Sequence, residues 1–110
     1  MNKYKLLVTD DGYYPLNKLC CIRIMPNMDE IYNLFKTRNF NKIPFDKLKD
    51  SYVFNVVMFF EDCEVVVFKD KVYLYRTCEK MIQSFLEFVN NSEDLIISID
   101  EDSGYERSNY

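Results

Sequence analysis

The side chains that most often carry catalysis at neutral pH are missing from this sequence or scattered along it. Its 110 residues contain no His, which excludes Ser-His-Asp sites, Cys-His sites and imidazole metal ligands. A pair of carboxylates could still serve a hydrolase. However, the Asp and Glu residues concentrate at predicted turns and near the C-terminus, where solvent surrounds them. We therefore predict that the protein is not an enzyme.

The four cysteines, Cys20, Cys21, Cys63 and Cys78, form no Cys-x-x-Cys pair. Their spacing does not favour a zinc site. A reducing compartment would keep all four as thiols, and we interpret them as buried apolar side chains. Cys78 follows the predicted start of a helix, which favours a thiolate. Because neither a base nor a resolving cysteine accompanies it, we predict a packing role there as well.

Metal and cofactor motifs are also missing. The stretch from Asp100 to Gly104 is similar to the start of a calcium loop, but Gly104 stands where an acid or Asn is needed. The chain also ends before the Glu that would close such a loop. Gly12 and Gly104 are the two glycines, too few for a loop that cradles phosphate. We predict no cofactor and no metal site.

The remaining candidate for function is a recognition surface built from carboxylates and tyrosines. Acids form three clusters in the sequence, and tyrosines lie beside two of them. Tyr supplies a large contact area at low entropy cost, and carboxylates steer a basic partner over a distance. The predicted partner-binding residues are Asp10, Asp11, Tyr13, Tyr14, Glu61, Asp62, Glu64, Asp100, Glu101, Asp102, Tyr105 and Glu106.

The distribution of charge favours a basic protein as the partner. Residues 1–90 hold 12 acids and 13 bases, whereas residues 91–110 hold six acids and one base, a net charge of −5. An acidic segment repels phosphate backbones and attracts basic surfaces, so we predict no direct binding of nucleic acid. The alternative is that this segment only keeps the protein in solution.

The composition indicates one folded domain in the cytoplasm. Hydrophobic residues make up 48% of the chain, enough for a single core at this length. Charged residues interrupt every apolar stretch well before the roughly twenty residues that cross a bilayer. The N-terminus lacks the apolar core of a signal peptide. We expect a single domain over residues 1–100, a polar acidic tail over residues 101–110, and a monomer or weak homodimer.

Hydrophobic periodicity predicts six strands and two helices. Apolar alternation or continuous apolar runs predict strands over residues 4–9, 18–25, 52–60, 63–68, 71–76 and 95–99. The first two would form a wide hairpin, and the third to fifth a three-stranded antiparallel meander with 52–60 as a central strand.

The first helix should begin at a capping box formed by Asn27 and Glu30 and fade near Asn39. The second should begin after Thr77 as N-cap and end at Asn90 and Asn91. Residues 40–50 read as an irregular connection or one short helical turn. The element order ββ-α-βββ-α-β predicts an α+β fold, with an antiparallel sheet of five to six strands and two helices on one face.

In size, acidity, helix-on-sheet character and lack of catalytic residues, the chain resembles small bacterial immunity proteins. These proteins neutralise the toxin domains of contact-dependent growth-inhibition and polymorphic toxin systems. The resemblance covers general character and no shared motif, so it carries over no site residue. It implies a tight complex with a toxin domain, commonly a basic nuclease, whose active site acidic side chains cover in place of phosphates.

Two alternatives stay open. The chain could be an inhibitor, encoded by a phage or mobile element, of a host defence nuclease, which would share the acidic character. It could instead be a structural module that associates with itself through an exposed sheet edge.

Overall fold

A computed structural model describes residues 5–9, 12–68, 71–100 and 104–107, with residues 100 and 104–107 described by their backbone. The elements in chain order are β1 (Leu6–Thr9), β2 (Gly12–Pro15), β3 (Leu19–Pro26), α1 (Met28–Phe35), α2 (Phe45–Lys49), β4 (Phe54–Phe60), β5 (Glu64–Val67), α3 (Tyr75–Asn91), β6 (Ile96–Asp100) and β7 (Gly104–Arg107). The predicted α+β class is confirmed. The prediction of one sheet with two helices is wrong, because the strands form two sheets and the described residues contain three α-helices.

β3, β4 and β5 form an antiparallel three-stranded sheet with β4 in the middle. The central position predicted for residues 52–60 is therefore confirmed. Along β4 the side chains alternate between two faces. Val56 and Met58 belong to the protein core, whereas Val57 and Phe59 lie on the opposite, outer face of the sheet.

The third strand predicted for the meander does not form. Residues 71–74 are extended, but their pairing with β4 is a single bridge in which Tyr73 and Phe54 exchange backbone hydrogen bonds of 2.8 and 3.0 Å. α3 then begins at Tyr75, with Leu74 and not Thr77 as N-cap. The Tyr75 ring packs edge-on against Phe54 and Phe45, at centroid distances of 5.2 and 5.6 Å. This tertiary contact places Tyr75 in the helix, although its local alternation is typical of a strand.

The second sheet has four strands in the order β2-β1-β6-β7. β1 and β6 run parallel in the centre, and β2 and β7 pair antiparallel on the two sides. The predicted hairpin of residues 4–9 with 18–25 is wrong. β1 pairs instead with β2, which lies inside the predicted loop, and β3 pairs with β4 in the other sheet. Gly12 begins β2 with a φ of 149°, which glycine adopts without steric cost.

The segment predicted as a polar tail, residues 101–110, contains β7. The register places residues 105 and 107 opposite Ile99 and Ile97 of β6. Part of this segment therefore belongs to the four-stranded sheet. Short polar sequences carry little strand signal of their own, and a neighbouring strand supplies the hydrogen-bond partners.

One hydrophobic core connects both sheets and the helices. Leu7 and Ile97 of the four-stranded sheet, Met58 of the three-stranded sheet, Ile31 of α1 and Phe85 of α3 are all buried within it. The predicted apolar face of the second helix contributes Cys78 and Phe85 as fully buried members, and α3 ends at Asn91 as predicted. Leu86, also predicted on that face, is exposed.

The predicted start of the first helix is confirmed. Asn27 is the N-cap of α1, and its side-chain oxygen accepts a hydrogen bond of 3.1 Å from the backbone N–H of Glu30. The backbone N–H of Asn27 donates to the carbonyl of Val53 at 2.7 Å, which ties the helix start to the strand beside it. The connection at residues 40–50 contains a 3₁₀ turn, Phe40–Lys42, and the short helix α2.

Candidate interaction surfaces

The ends of four strands lie along one border of the four-stranded sheet, and two of the predicted acidic clusters adjoin these strand ends in the sequence. Because β1 and β6 are parallel, their C-terminal residues Thr9 and Asp100 lie along the same border of the sheet, the one that crosses the strand ends. We call this border the acidic edge. β2 and β7 start at that edge, at Gly12 and Gly104, since both pair antiparallel with their neighbours. In the sequence, Asp10 and Asp11 join Thr9 to Gly12, while Glu101 and Asp102 follow Asp100. These four acids lie outside the described residues.

The two tyrosines of β2 point to opposite faces of the sheet. Tyr13 is 71% exposed, on the outer face beside Val8. Tyr14 is half-buried and stacks on Phe60 of the three-stranded sheet, with ring centroids 5.4 Å apart. Tyr13 is therefore available to a partner, whereas Tyr14 joins the two sheets and contributes chiefly to packing.

The predicted site residues Tyr105 and Glu106 belong to β7. The register sets residue 106 opposite Ser98 and residue 105 opposite Ile99. β7 thus adds a strand beside β6 at one side of the four-stranded sheet.

The remaining acidic cluster lies on the other sheet. Glu61 and Asp62 occupy the turn between β4 and β5, Glu64 begins β5, and all three are exposed. The backbone N–H of Glu61 donates to the carbonyl of Lys18 at 3.0 Å. Of the three predicted clusters, this is the one whose acids are all described, and it belongs to the turn and the start of a strand in the three-stranded sheet.

A groove on the outer face of the three-stranded sheet was not predicted. It measures about 440 Å³, and its floor includes Val57, Phe59 and Val66. Asp29 of α1 and Glu64 of β5 contribute exposed carboxylates to its lining. The sequence signal was hidden because both faces of β4 are apolar, so its run of residues shows no alternation from which an outer face could be identified.

A buried amide organises one end of this groove. Asn55, 6% exposed, is the buried polar residue of β4. Its oxygen accepts a hydrogen bond from the Asn27 side chain at 3.1 Å, and its nitrogen donates to the Lys71 carbonyl at 2.8 Å. Both ends of the amide are thus satisfied, which removes the penalty for burying it. Through these two hydrogen bonds, Asn55 connects the N-cap of α1 and the residues before α3 to the central strand.

The interpretation of the cysteines as buried is correct for one of the four. Cys78 is fully buried, and desolvation raises the pKa of its thiol from 9.0 to about 11. That shift disfavours the reactive thiolate. Cys20, Cys21 and Cys63 are exposed. Cys20 and Cys21 lie at an irregularity in the register of an outer strand, and Cys63 precedes β5, so none of them reaches the core.

A second unpredicted surface surrounds α1 and α2. We define the basic–aromatic patch as the exposed apolar residues and the bases of residues 32–52. Nine large apolar side chains are exposed in the described part of the chain, and five of them lie here: Tyr32, Leu34, Phe40, Phe45 and Tyr52. The bases of the patch are Lys36, Arg38, Lys42, Lys47 and Lys49.

Within residues 5–9, 12–68, 71–100 and 104–107, no group of three or more Cys, Asp or Glu side chains is arranged to hold a metal ion. In the same described ranges, no helix has the length and apolar character needed to cross a membrane. Comparison of the chain with protein-family models, with curated proteins and with solved structures gave no match.

Proposed function

We propose that this chain is a binding protein without catalytic activity, whose partner is a basic protein. In the form that the resemblance to bacterial immunity proteins suggests, the partner is a toxin domain, with a nuclease as the natural target. The chain would neutralise that domain by occupying the surface on which it binds its phosphate-bearing substrate. This protein and a nucleic acid both present negative charge, which is why an acidic protein can compete with nucleic acid for a basic surface.

The observation that carries the proposal is the parallel pairing of β1 and β6. This pairing brings together the strand ends that flank two acidic connections, although they are far apart in the sequence. The residues in question are Asp10, Asp11, Asp100, Glu101 and Asp102. Five negative charges attached to one sheet edge would produce a strong local field, and such fields accelerate the encounter with an oppositely charged surface.

The exposed ring of Tyr13 supports the same edge as a contact surface. Tyr13 follows Gly12 directly, so its side chain lies one residue from the acidic connection. Interfaces combine a charged rim with a few large aromatic anchors that become desolvated on binding. In this proposal the carboxylates set the rate of association, and Tyr13 contributes to the lifetime of the complex.

The identity of the partner can be tested by co-expression. The protein is produced together with the product of the neighbouring gene, and growth and co-purification are measured. If the product of the neighbouring gene is toxic, its co-purification with this protein and the restoration of growth would support the proposal. A toxic neighbour that neither binds the protein nor is neutralised by it would contradict the immunity function.

The acidic edge can be tested by substituting Asp100, Glu101 and Asp102 with Asn, Gln and Asn. The control replaces three exposed acids outside both sheets, Glu79, Glu87 and Glu93, with Gln, which changes the net charge equally. At low salt we expect the first variant to associate with the partner about tenfold more slowly, because electrostatic steering is local. Stopped-flow fluorescence measures the rate. Equal slowing in both variants would show that only net charge matters.

A further inference from the structure

The basic–aromatic patch has a charge opposite to that of the rest of the molecule. Residues 32–52 contain five bases and two acids, a net charge of +3, whereas the whole chain carries −4. The remainder of the chain therefore carries −7. A basic partner would be repelled by this patch, so the function proposed above does not account for it.

Cation–ring contacts lie along α1 and α2, and one of them joins the two helices. The Arg38 guanidinium lies 4.6 Å from the centre of the Tyr32 ring, and the Lys47 ammonium lies 6.0 Å from that of Phe35. Lys49 lies 5.5 Å from the centre of the Phe45 ring. The cations are thus held against aromatic rings of the same region.

Part of the patch presents apolar side chains to solvent beside two acids. Leu34 and Tyr52 are 57% and 64% exposed, and they line a groove of about 340 Å³ together with Glu30 and Asp50. Phe45 is 55% exposed. Large exposed apolar groups with a charged rim are typical of a protein–protein interface. The net charge of −4 on the whole chain disfavours a phosphate backbone as the occupant.

We infer that the basic–aromatic patch binds the acidic surface of a second copy of this chain. Each copy carries a segment of net positive charge, residues 32–52, and acidic clusters elsewhere, so two copies offer matching partners without any other molecule. In a two-fold pair, the patch of each copy faces acids of the other, and both contacts form at once. The exposed acids Glu61, Asp62 and Glu64 are described members of that acidic surface. This inference does not depend on the proposed function.

Sedimentation velocity of the full chain over a range of concentrations tests the inference. We expect the chain to associate with itself at about 0.05 M salt. The dissociation constant should rise about tenfold at about 0.5 M salt, because the Debye length is shorter there. Replacing Lys42 and Lys47 with Glu should abolish association. The control replaces Lys71 and Lys80, which are exposed and lie outside the patch, with Glu, so both variants change the net charge equally. A protein that stays monomeric at low salt would overturn the inference, as would equal loss of association in the control variant.

Two further measurements test whether a different kind of molecule binds the patch. Binding of a labelled oligothymidylate that Lys42→Glu and Lys47→Glu abolish, in a chain that stays monomeric, would assign the patch to nucleic acid. Co-sedimentation with vesicles of phosphatidylserine and phosphatidylcholine that the same substitutions abolish, in a chain that stays monomeric, would assign the patch to a membrane surface. Either result would overturn the assignment to a second copy. Because these substitutions lie outside the acidic edge, binding to a basic partner should survive them, so the two proposals can fail separately.

Discussion

β4 and β5 of the three-stranded sheet are joined by residues 61–63, whereas Leu6 of the four-stranded sheet pairs with Ile96, 90 positions further along the chain. The first sheet is assembled from three strands that follow one another in the chain, whereas the second joins strands from both ends of the chain. Closing a long loop costs entropy before any contact forms, so the parallel pair must be supported by burial. Leu7 and Ile97, which pair directly, are both fully buried.

The comparison shows that the two sheets depend on each other. The four-stranded sheet buries its inner face against the core that α3 and the three-stranded sheet also form. The Tyr14–Phe60 stack adds a direct link between them. Neither sheet has a complete core of its own, so we expect the molecule to unfold as one unit.

The largest expected effect comes from truncating one core residue in each sheet. Leu7→Ala and Met58→Ala should each lower the free energy of unfolding by about 2 to 5 kcal/mol, because both side chains are buried and leave a cavity. Urea denaturation followed by circular dichroism and fluorescence measures the change. Coincident transitions are expected in both variants. A separate early transition in Leu7→Ala would show that the four-stranded sheet unfolds on its own.

The ionisation of Cys78 tests whether α3 excludes water from the core that the two sheets share. Its folded-state pKa of about 11 lies above 9.0, so the folded state retains the thiol proton that the unfolded state loses. The resulting stabilisation is complete below pH 9 and is lost as the pH rises towards 11. The difference in unfolding free energy between the wild type and Cys78→Ala should therefore narrow by about 2 kcal/mol over this window.

The exposed Cys63 gives the control for that measurement. The change measured for Cys78→Ala is compared with that of Cys63→Ala, which removes an exposed thiol. A difference between the wild type and Cys78→Ala that stays constant from pH 9 to 11 would mean that α3 does not exclude water from the core.

The smallest effect distinguishes the two tyrosines of β2. Tyr14→Ala should cost about 2 to 3 kcal/mol through the lost stack on Phe60. Tyr13→Ala should change stability by less than about 0.5 kcal/mol because its side chain lies in solvent. Thermal denaturation compares the two variants. A similar loss in both would mean that the outer face of the four-stranded sheet is also packed.

Elements with a strong local signal were predicted well. The apolar run from Phe54 to Phe60 and the Asn27 cap lie where the sequence indicates, because each depends on residues within one turn or one strand. β2 and β7 were missed because their sequences contain Gly with Pro or with charged residues, which are depleted in strands and typical of turns. Tyr75 was assigned to a strand because its contacts with Phe45 and Phe54 come from distant segments.

For the candidate surfaces as well, features with a local signal could be predicted from the sequence, and features that depend on distant residues could not. Exposed acids at turns could be named from the sequence, since turn residues remain in solvent. Tyr14 could not be separated from Tyr13, because that depends on the face of a strand that was itself not predicted. The basic–aromatic patch was missed because its bases are offset by acids elsewhere in residues 1–90, so the average charge hides it.

The sequence by itself determined the α+β class, the central strand, the starting point of the first helix and the segregation of acids into clusters. These properties depend on composition, periodicity and capping, which act over a few residues. Only the tertiary structure decided that the strands divide into two sheets and that β1 pairs with β6. That pairing, and the edge it creates between two acidic connections, depends on burying Leu7 and Ile97 together, a contact between residues at opposite ends of the chain.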